Sequence, residues 1–184
     1  MGKSSRKERT MTDDFKNAMK FILDHEKVMS RGKVVSEHDP RDPGGLTKYG
    51  IDARSHPGVD IENLTEEKAT AIYWQEWLEC KADKLPWPLS FAYFDACVNS
   101  GVRQGVLLLQ RTVGAKNDGI IGPATIGAAV AACKLKPATE VALAYCQKKE
   151  QFYVALCKAK PQYEYAKNGW LNRVSDLKKT INLC

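Results

Sequence analysis

Most of the chain carries apolar residues at helical spacing, and proline or glycine separates one such run from the next. Thr65 begins one helix, and the breaker Pro86-Trp87-Pro88 ends it. Further helices are predicted at Leu89 to Ser100, Val102 to Val113, after Pro123, at Ala138 to Lys158 and from Asn168. This pattern predicts a mainly α fold with a small β element.

The stretch after the first predicted helix has a different pattern. Thr12 begins this helix, which runs to about Glu26. Lys27 to Val35 then predicts two short strands around Ser30-Arg31-Gly32, and the turn-rich segment HDPRDPGG follows at residues 38–45. We expect a hairpin and an irregular loop here, which could form the wall of a cleft.

The length of 184 residues fits one compact unit. We expect residues 1–11 to form a flexible tail, residues 12–100 a first segment, and residues 101–184 a helical second segment packed in the same unit. No repeat or low-complexity linker separates the two segments, so the boundary near Gly101 is soft. The expected state is a monomer.

Two features of the sequence bear on location. The longest apolar run, Gly127 to Cys133, is far shorter than the roughly 20 residues that a membrane-spanning helix needs. The basic N terminus has no apolar stretch after it, so we expect no signal peptide and a protein that stays in the cytoplasm until it is released.

Cysteine and histidine patterns give no sign of a disulfide framework or a metal site. The cysteines lack C-x-x-C pairs and most lie on apolar helix faces, which favours buried free thiols over disulfides. An H-E-x-x-H zinc motif starting at His25 is excluded, because Met29 stands at its second histidine. We expect neither a metal nor another cofactor. The cysteines are Cys80, Cys97, Cys133, Cys146, Cys157 and Cys184.

The net charge of +6 favours a polyanionic partner, which could be nucleic acid, a membrane surface or an anionic cell wall. Nucleic acid is disfavoured, because no basic stripe alternates with aromatic residues. Residues 168–184 form a basic amphipathic stretch that could contact anionic membranes weakly, although packing on the core explains the same pattern better.

Glu26 is the first candidate for chemistry. It lies one helical turn beyond Ile22, so it projects from the face that packs inward at the point where the chain leaves the helix. A partly desolvated carboxyl there could act as a general acid. A solvated glutamate at a helix end explains the spacing equally well.

Asp42 and Thr47 lie in the loop after the predicted hairpin, where Gly44 and Gly45 allow a tight turn. A hairpin could return this loop toward Glu26 and place a carboxylate and a hydroxyl across a cleft from it. Alternatively, the aspartates of this loop only cap turns.

Glu26 and the stretch DPRDPGGLTKYGI at residues 39–51 resemble the catalytic segment of glycoside hydrolase family 108. In that family a helix-borne glutamate is followed by the pattern DP-x-DPGG-x-T-x-x-GI. The resemblance covers nearly all of residues 15–175. Further matching motifs are Phe94-Asp95, Val98-Asn99-Ser100-Gly101, Leu109-Gln110, the segment DGIIGPAT at residues 118–125 and Gly169-Trp170-Leu171-Asn172-Arg173.

The resemblance implies an enzyme with a lysozyme-like fold. Such an enzyme hydrolyses the β-1,4 bond between N-acetylmuramic acid and N-acetylglucosamine of peptidoglycan. The resemblance makes residues 12–100 the catalytic segment and residues 101–184 a peptidoglycan-associated segment. The order Glu26, Asp42 and Thr47 also resembles the catalytic set of phage-type lysozymes, which implies that Glu26 is the acid, Asp42 the carboxylate that orients water and Thr47 its hydroxyl partner. The leading hypothesis is an inverting reaction.

The candidate sugar contacts are aromatic and amide side chains, because pyranose rings stack on aromatic faces and N-acetyl groups need hydrogen-bonding partners. Core or capping roles are equally possible for each of them. The candidates are Tyr49, Tyr93, Asn99 and Gln110.

Two biological settings and one alternative function remain open. A wall hydrolase without a signal peptide fits a phage endolysin or a muramidase that serves secretion or toxin release. The chain also departs from the family, which has Gly-Gly after the catalytic glutamate where this sequence has Lys27-Val28. The alternative is therefore a degenerate member that binds peptidoglycan without cutting it.

Overall fold

The structure is a computed structural model that describes residues 10–27, 29–30, 33–34, 36 and 45–184. The α-helices in these ranges are α1 (Asp13–Glu26), α2 (Glu66–Glu79), α3 (Leu89–Ser100), α4 (Val102–Val113), α5 (Pro123–Leu135), α6 (Ala138–Ala159) and α7 (Glu164–Ile181). Short 3-10 helices lie at Ala82–Lys84 and Pro161–Tyr163. The predicted mainly α fold is confirmed.

Two small antiparallel hairpins complete the described architecture. The strands β1 (Met29–Ser30) and β2 (Lys33–Val34) form the first hairpin, as the sequence predicts. The strands β3 (Thr47–Lys48) and β4 (Ile51–Asp52) form the second, with Thr47 opposite Asp52.

The second hairpin was not predicted, because its strands are too short to show an alternating pattern. Its turn is Tyr49-Gly50, and both residues have positive φ, 55° and 75°. Type I′ turns of this kind usually carry Asn-Gly or Asp-Gly. A tyrosine in the first position removes the usual sequence signal.

The two helix starts that depend on threonine are confirmed. Thr12 caps α1, where its hydroxyl accepts a hydrogen bond from the Phe15 amide at 3.2 Å. Thr65 caps α2 in the same way, with the Lys68 amide at 3.3 Å. Each cap satisfies one amide that the first helical turn leaves unpaired.

The helix α3 lies at the centre of the core, packed against α1, α4 and α6. Residues 89–97 are buried without interruption, as expected for a helix that other elements cover on all sides. The helix α4 crosses α3 closely at Gly105, where a β-carbon would stand 2.7 Å from Cys97 Sγ. The family-matching segment around residues 94–101 is therefore held by helices from the second half of the chain.

An aromatic cluster joins α1, α2 and α3. Phe15 lies 4.9 Å from Trp74 and 5.7 Å from Trp77 between ring centroids, and Trp77 lies 5.0 Å from Phe94. All four rings are buried. Each such ring buries on the order of 150–250 Å², so this cluster anchors α1 firmly to the core.

The C-terminal helix α7 packs along α6. Its apolar residues Val174, Leu177 and Ile181 are fully buried, and Lys178 Nζ pairs with Glu150 Oε2 at 2.6 Å. The apolar face that could have contacted a membrane is thus used for packing. Within the described residues, none of the helices combines the length and the apolar character needed to cross a bilayer.

All six cysteines are free. Four are buried, Cys133 is half-buried and Cys184 is exposed. The last helix begins earlier than the sequence predicts, at Glu164 rather than Asn168.

Candidate active site

Glu26 is the last residue of α1, and its side chain is 19% exposed. One turn earlier Ile22 is fully buried, so the carboxyl continues the inward face of the helix. At Lys27 the backbone becomes extended and the helix ends. The carboxyl therefore lies at the border between the helical core and the loops that follow α1.

Arg173 of α7 contacts this carboxyl. Its Nη1 donates a hydrogen bond to Glu26 Oε1, and its Nε donates to Asp95 Oδ1 at 2.8 Å. The arginine side chain is only 8% exposed. One guanidinium is thus shared by two carboxylates that come from α1 and α3.

Asp95 is also bound by Lys149 of α6, whose Nζ donates to Asp95 Oδ2. Both side chains are fully buried. Burial by itself would raise the pKa of Asp95, but the charges of Lys149 and Arg173 outweigh burial and lower this pKa below its ordinary value. Asp95 is therefore a buried carboxylate held between two cations.

The turn of the β3–β4 hairpin lies against the other oxygen of Glu26. A β-carbon on Gly50 would stand 2.7 Å from both Glu26 Oε2 and the Tyr73 hydroxyl. That hydroxyl donates to the Tyr49 carbonyl at 2.8 Å and so ties the turn to α2. Burial, followed by the charge of Glu26, raises the pKa of Tyr73, so it remains a neutral donor.

A cavity of about 460 Å³ lies beside Gly50 and Tyr73. Its walls come from the β3–β4 hairpin, α2 and α3, and they combine apolar and acidic side chains. His56 Nε2 and Glu76 Oε1 lie 3.0 Å apart in this lining, and burial raises the pKa of Glu76. Within the described ranges, no group of three histidine, cysteine or acidic side chains is placed to hold a metal ion.

Comparison with known proteins identifies the family. Residues 19–101 match the family Glycosyl hydrolase 108, and residues 104–175 match the family Predicted Peptidoglycan domain. The first of these segments is therefore a glycoside hydrolase family 108 domain. The chain is a glycoside hydrolase whose domains act on peptidoglycan.

A solved structure is similar to this chain over most of its length. It is the structure of SagA from Brucella abortus, which superimposes on this chain with a TM-score of 0.73 and is 28% identical in sequence. The match covers 92% of this chain and 94% of SagA. No curated protein matches the chain.

The buried charges around Glu26 cross the border between the two matched segments. Glu26 and Asp95 belong to the glycosyl hydrolase segment, whereas Lys149 and Arg173 belong to the segment described as a predicted peptidoglycan domain. The surroundings of Glu26 are thus built by both segments.

The three predicted catalytic residues are described to different extents. Glu26 lies in the site given above. Thr47 is half-buried in β3, and its hydroxyl donates a long hydrogen bond of 3.4 Å to the Gly45 carbonyl. Asp42 lies outside the described residues. The hairpin that carries Thr47 is the one whose turn contacts Glu26.

Two of the four predicted sugar contacts are fully buried. Tyr93 is 0% exposed and donates to the Cys80 carbonyl at 2.9 Å. Gln110 is also 0% exposed, and it joins α4 to the 118–125 loop through Asp118 at 2.8 Å and the Gly119 amide at 2.9 Å. Neither side chain can reach a sugar unless the core opens, so the prediction of sugar contacts is not retained for them.

The other two candidates lie nearer the surface. Tyr49 is 8% exposed and forms the turn against Glu26. Asn99 is half-buried, and its side-chain oxygen accepts a hydrogen bond from the Tyr153 hydroxyl. Trp170 stacks on Tyr153 with 4.9 Å between ring centroids, so it packs against the ring whose hydroxyl contacts Asn99.

Arg173, Asp95 and Lys149 were not predicted from the sequence to be neighbours of Glu26. One signal was available, since Asp95 interrupts the apolar run Leu89 to Val98 of a helix that should be buried. A buried carboxylate needs a cationic partner. Which cations supply it is decided by how α6 and α7 pack, and spacing along the chain does not show this.

Proposed function

We propose that this protein is an N-acetylmuramidase that hydrolyses the β-1,4 bond between N-acetylmuramic acid and N-acetylglucosamine, with Glu26 as the general acid. One observation carries the proposal. In a glycoside hydrolase of family 108, the Glu26 carboxyl is largely buried, with Oε1 bound by Arg173 and Oε2 beside a turn that has no side chain at Gly50.

In the proposed reaction Glu26 gives its proton to the glycosidic oxygen as the bond from that oxygen to the anomeric carbon breaks. A water molecule bonds to the anomeric carbon from the opposite face and gives its proton to Asp42. Thr47 helps to orient this water. The product sugar is inverted at the anomeric carbon, which is the expected outcome for two carboxyl groups roughly 6.5–9.5 Å apart.

The substrate contacts proposed here are fewer than those predicted from the sequence. Asn99 is retained, because its side chain is partly exposed and an amide can bind an N-acetyl group. Tyr49 is retained through the position of its turn beside Glu26. The cavity next to Gly50 and Tyr73 is the proposed place for a sugar ring or its N-acetyl substituent.

The net charge of +6 suits a substrate that is an anionic wall polymer. We propose two settings for such an activity, which are phage-driven lysis and wall cutting during secretion or toxin release. The assembly is proposed to be a monomer.

The test of the proposed function is reducing-end analysis of purified peptidoglycan after digestion by the wild-type protein, Glu26→Gln and Glu62→Gln. Glutamine keeps the shape of Glu26 and removes the acid. Glu62 is exposed and serves as the matched control. We expect wild type and Glu62→Gln to release fragments that end in N-acetylmuramic acid, and Glu26→Gln to release none.

Two outcomes would contradict the proposal. Release of fragments that end in N-acetylglucosamine would show that the enzyme cuts the other glycosidic bond of peptidoglycan. Wall binding by all three proteins without release of fragments would favour the degenerate binding protein that Lys27-Val28 suggests. The stereochemistry is tested separately by NMR of the first-formed anomer, where retention would exclude the role given to Asp42.

A further inference from the structure

The contact between Arg173 and Glu26 is part of a row of four buried or half-buried charges. The row runs from Lys149 to Asp95, then to Arg173 and then to Glu26. Its members alternate in sign and come from four different helices, α6, α3, α7 and α1. Buried charges are costly unless each has a partner, and here each has one.

The geometry of arginine allows this row to orient the carboxyl of Glu26. A guanidinium is planar and rigid, so fixing one of its nitrogens fixes the directions of the others. Asp95 holds the Nε side at 2.8 Å, and Lys149 in turn holds Asp95. The position of Nη1, which contacts Glu26 Oε1, is therefore fixed by Asp95 and Lys149.

The backbone of α7 at Arg173 is also held in place. Its neighbour Val174 and the residues Leu177 and Ile181, one and two turns further along α7, are 0% exposed. The backbone that carries the arginine is thus locked onto α6 by apolar packing.

We propose that Arg173 is a positioning residue for Glu26, an inference that rests on the proposed role of Glu26 as the acid. Arg173 occupies Oε1, so the proton that is transferred is carried on Oε2, which faces the turn at Gly50. The segment at residues 104–175 then supplies part of the catalytic geometry through Arg173, in addition to any binding of peptidoglycan.

Several charged and titratable groups surround Glu26. Arg173 faces it from α7 and the neutral Tyr73 hydroxyl faces it from α2. Asp95 and Lys149 lie behind Arg173. Next to these groups on the side of α2 and the hairpin are Asp52, Glu76 and His56.

The test compares Arg173→Met and Arg173→Lys with the wild-type protein in steady-state kinetics on solubilised peptidoglycan, with kcat and KM measured separately. Asp95 keeps Lys149 in both variants, so the fully buried carboxylate keeps a cationic partner and the fold should survive. Arg111→Met serves as the control, because Arg111 is exposed on α4.

For Arg173→Met we expect kcat to fall by roughly 10- to 100-fold with little change in KM, because a misplaced catalytic group is costly even at about 1 Å. Arg173→Lys keeps a positive charge but lacks the rigid fork. It should recover part of kcat.

A merely structural role predicts a different result. Arg173→Met would then lower the midpoint of thermal unfolding, while kcat per folded molecule stays at its wild-type value and Arg173→Lys gives no recovery beyond that of stability. That result would overturn the inference and leave the muramidase proposal intact. Wild-type protein that does not cut peptidoglycan would overturn both.

Discussion

Gly50 lies so close to Glu26 that a β-carbon at position 50 would stand 2.7 Å from Oε2 of the carboxyl. The same β-carbon would meet the Tyr73 hydroxyl at 2.7 Å, and the residue has a φ of 75° that disfavours any side chain. Two independent constraints therefore require glycine at this turn, and one of them concerns the proposed acid directly.

The first prediction is that Gly50→Ala loses at least about tenfold in kcat, because its methyl group displaces the Glu26 carboxyl. Gly58→Ala is the matched control, since Gly58 has a φ of 90° but nothing within 4 Å of its would-be β-carbon. Both variants should lose roughly 1–2 kcal/mol of stability from the backbone conformation. Equal kcat in the two variants, measured on peptidoglycan, would contradict the prediction.

The second prediction concerns the hydrogen bond that ties the turn to α2. Tyr73→Phe leaves the Tyr49 carbonyl without its donor and should reduce the free energy of unfolding by about 1–3 kcal/mol. Tyr145→Phe removes a similar buried bond, to the Gly105 carbonyl at 3.1 Å, away from Glu26. Both should be destabilised in denaturant titrations, and only Tyr73→Phe should also lower kcat.

The third prediction is that Asp95→Asn reduces the free energy of unfolding by about 3–5 kcal/mol, because the buried Lys149 then loses its carboxylate and Arg173 keeps only Glu26. Asp13→Asn, whose side chain is 91% exposed, should cost less than about 1 kcal/mol. Urea unfolding of both variants measures the difference. A loss for Asp95→Asn no larger than that of the control would show that the buried charges are not coupled.

The fourth prediction is the pH dependence that follows from Asp95. Its pKa is lowered in the folded state from an ordinary value of 3.8, so its contribution to stability is complete above that value and is lost as the pH falls through the lower folded pKa. Unfolding free energies between pH 6 and pH 2 should therefore decline more steeply below about pH 4 in wild type than in Asp95→Asn. Parallel curves would exclude Asp95 as a source of the acid sensitivity.

Local sequence patterns predicted the helices well, because their signals lie within a few residues of one another. Thr12 and Thr65 cap helices where their hydroxyls can reach an amide three positions later. The β3–β4 hairpin escaped prediction, because Tyr49 stands where a type I′ turn usually carries asparagine or aspartate. A turn that carries an uncommon residue type cannot be recognised from the local sequence.

The candidate site was predicted only in part. Its motif resemblance pointed to Glu26, and the position of Glu26 one turn after Ile22 was enough to place it at the edge of the core. Tyr93 and Gln110 were assigned to sugar by their chemical type, yet both are buried and bonded internally. Residue type alone does not distinguish a ligand contact from a structural hydrogen bond.

The sequence by itself determined that the chain is mainly helical, where most helices begin and end, and that a glutamate closes the first of them. Only the tertiary structure decided that Arg173 meets Glu26 from 147 positions away and that Asp95 meets Lys149 from 54 positions away. Helical periodicity acts over a few residues, whereas these contacts depend on how α1, α3, α6 and α7 pack around one core. Burial then requires that the charges they bring together be paired.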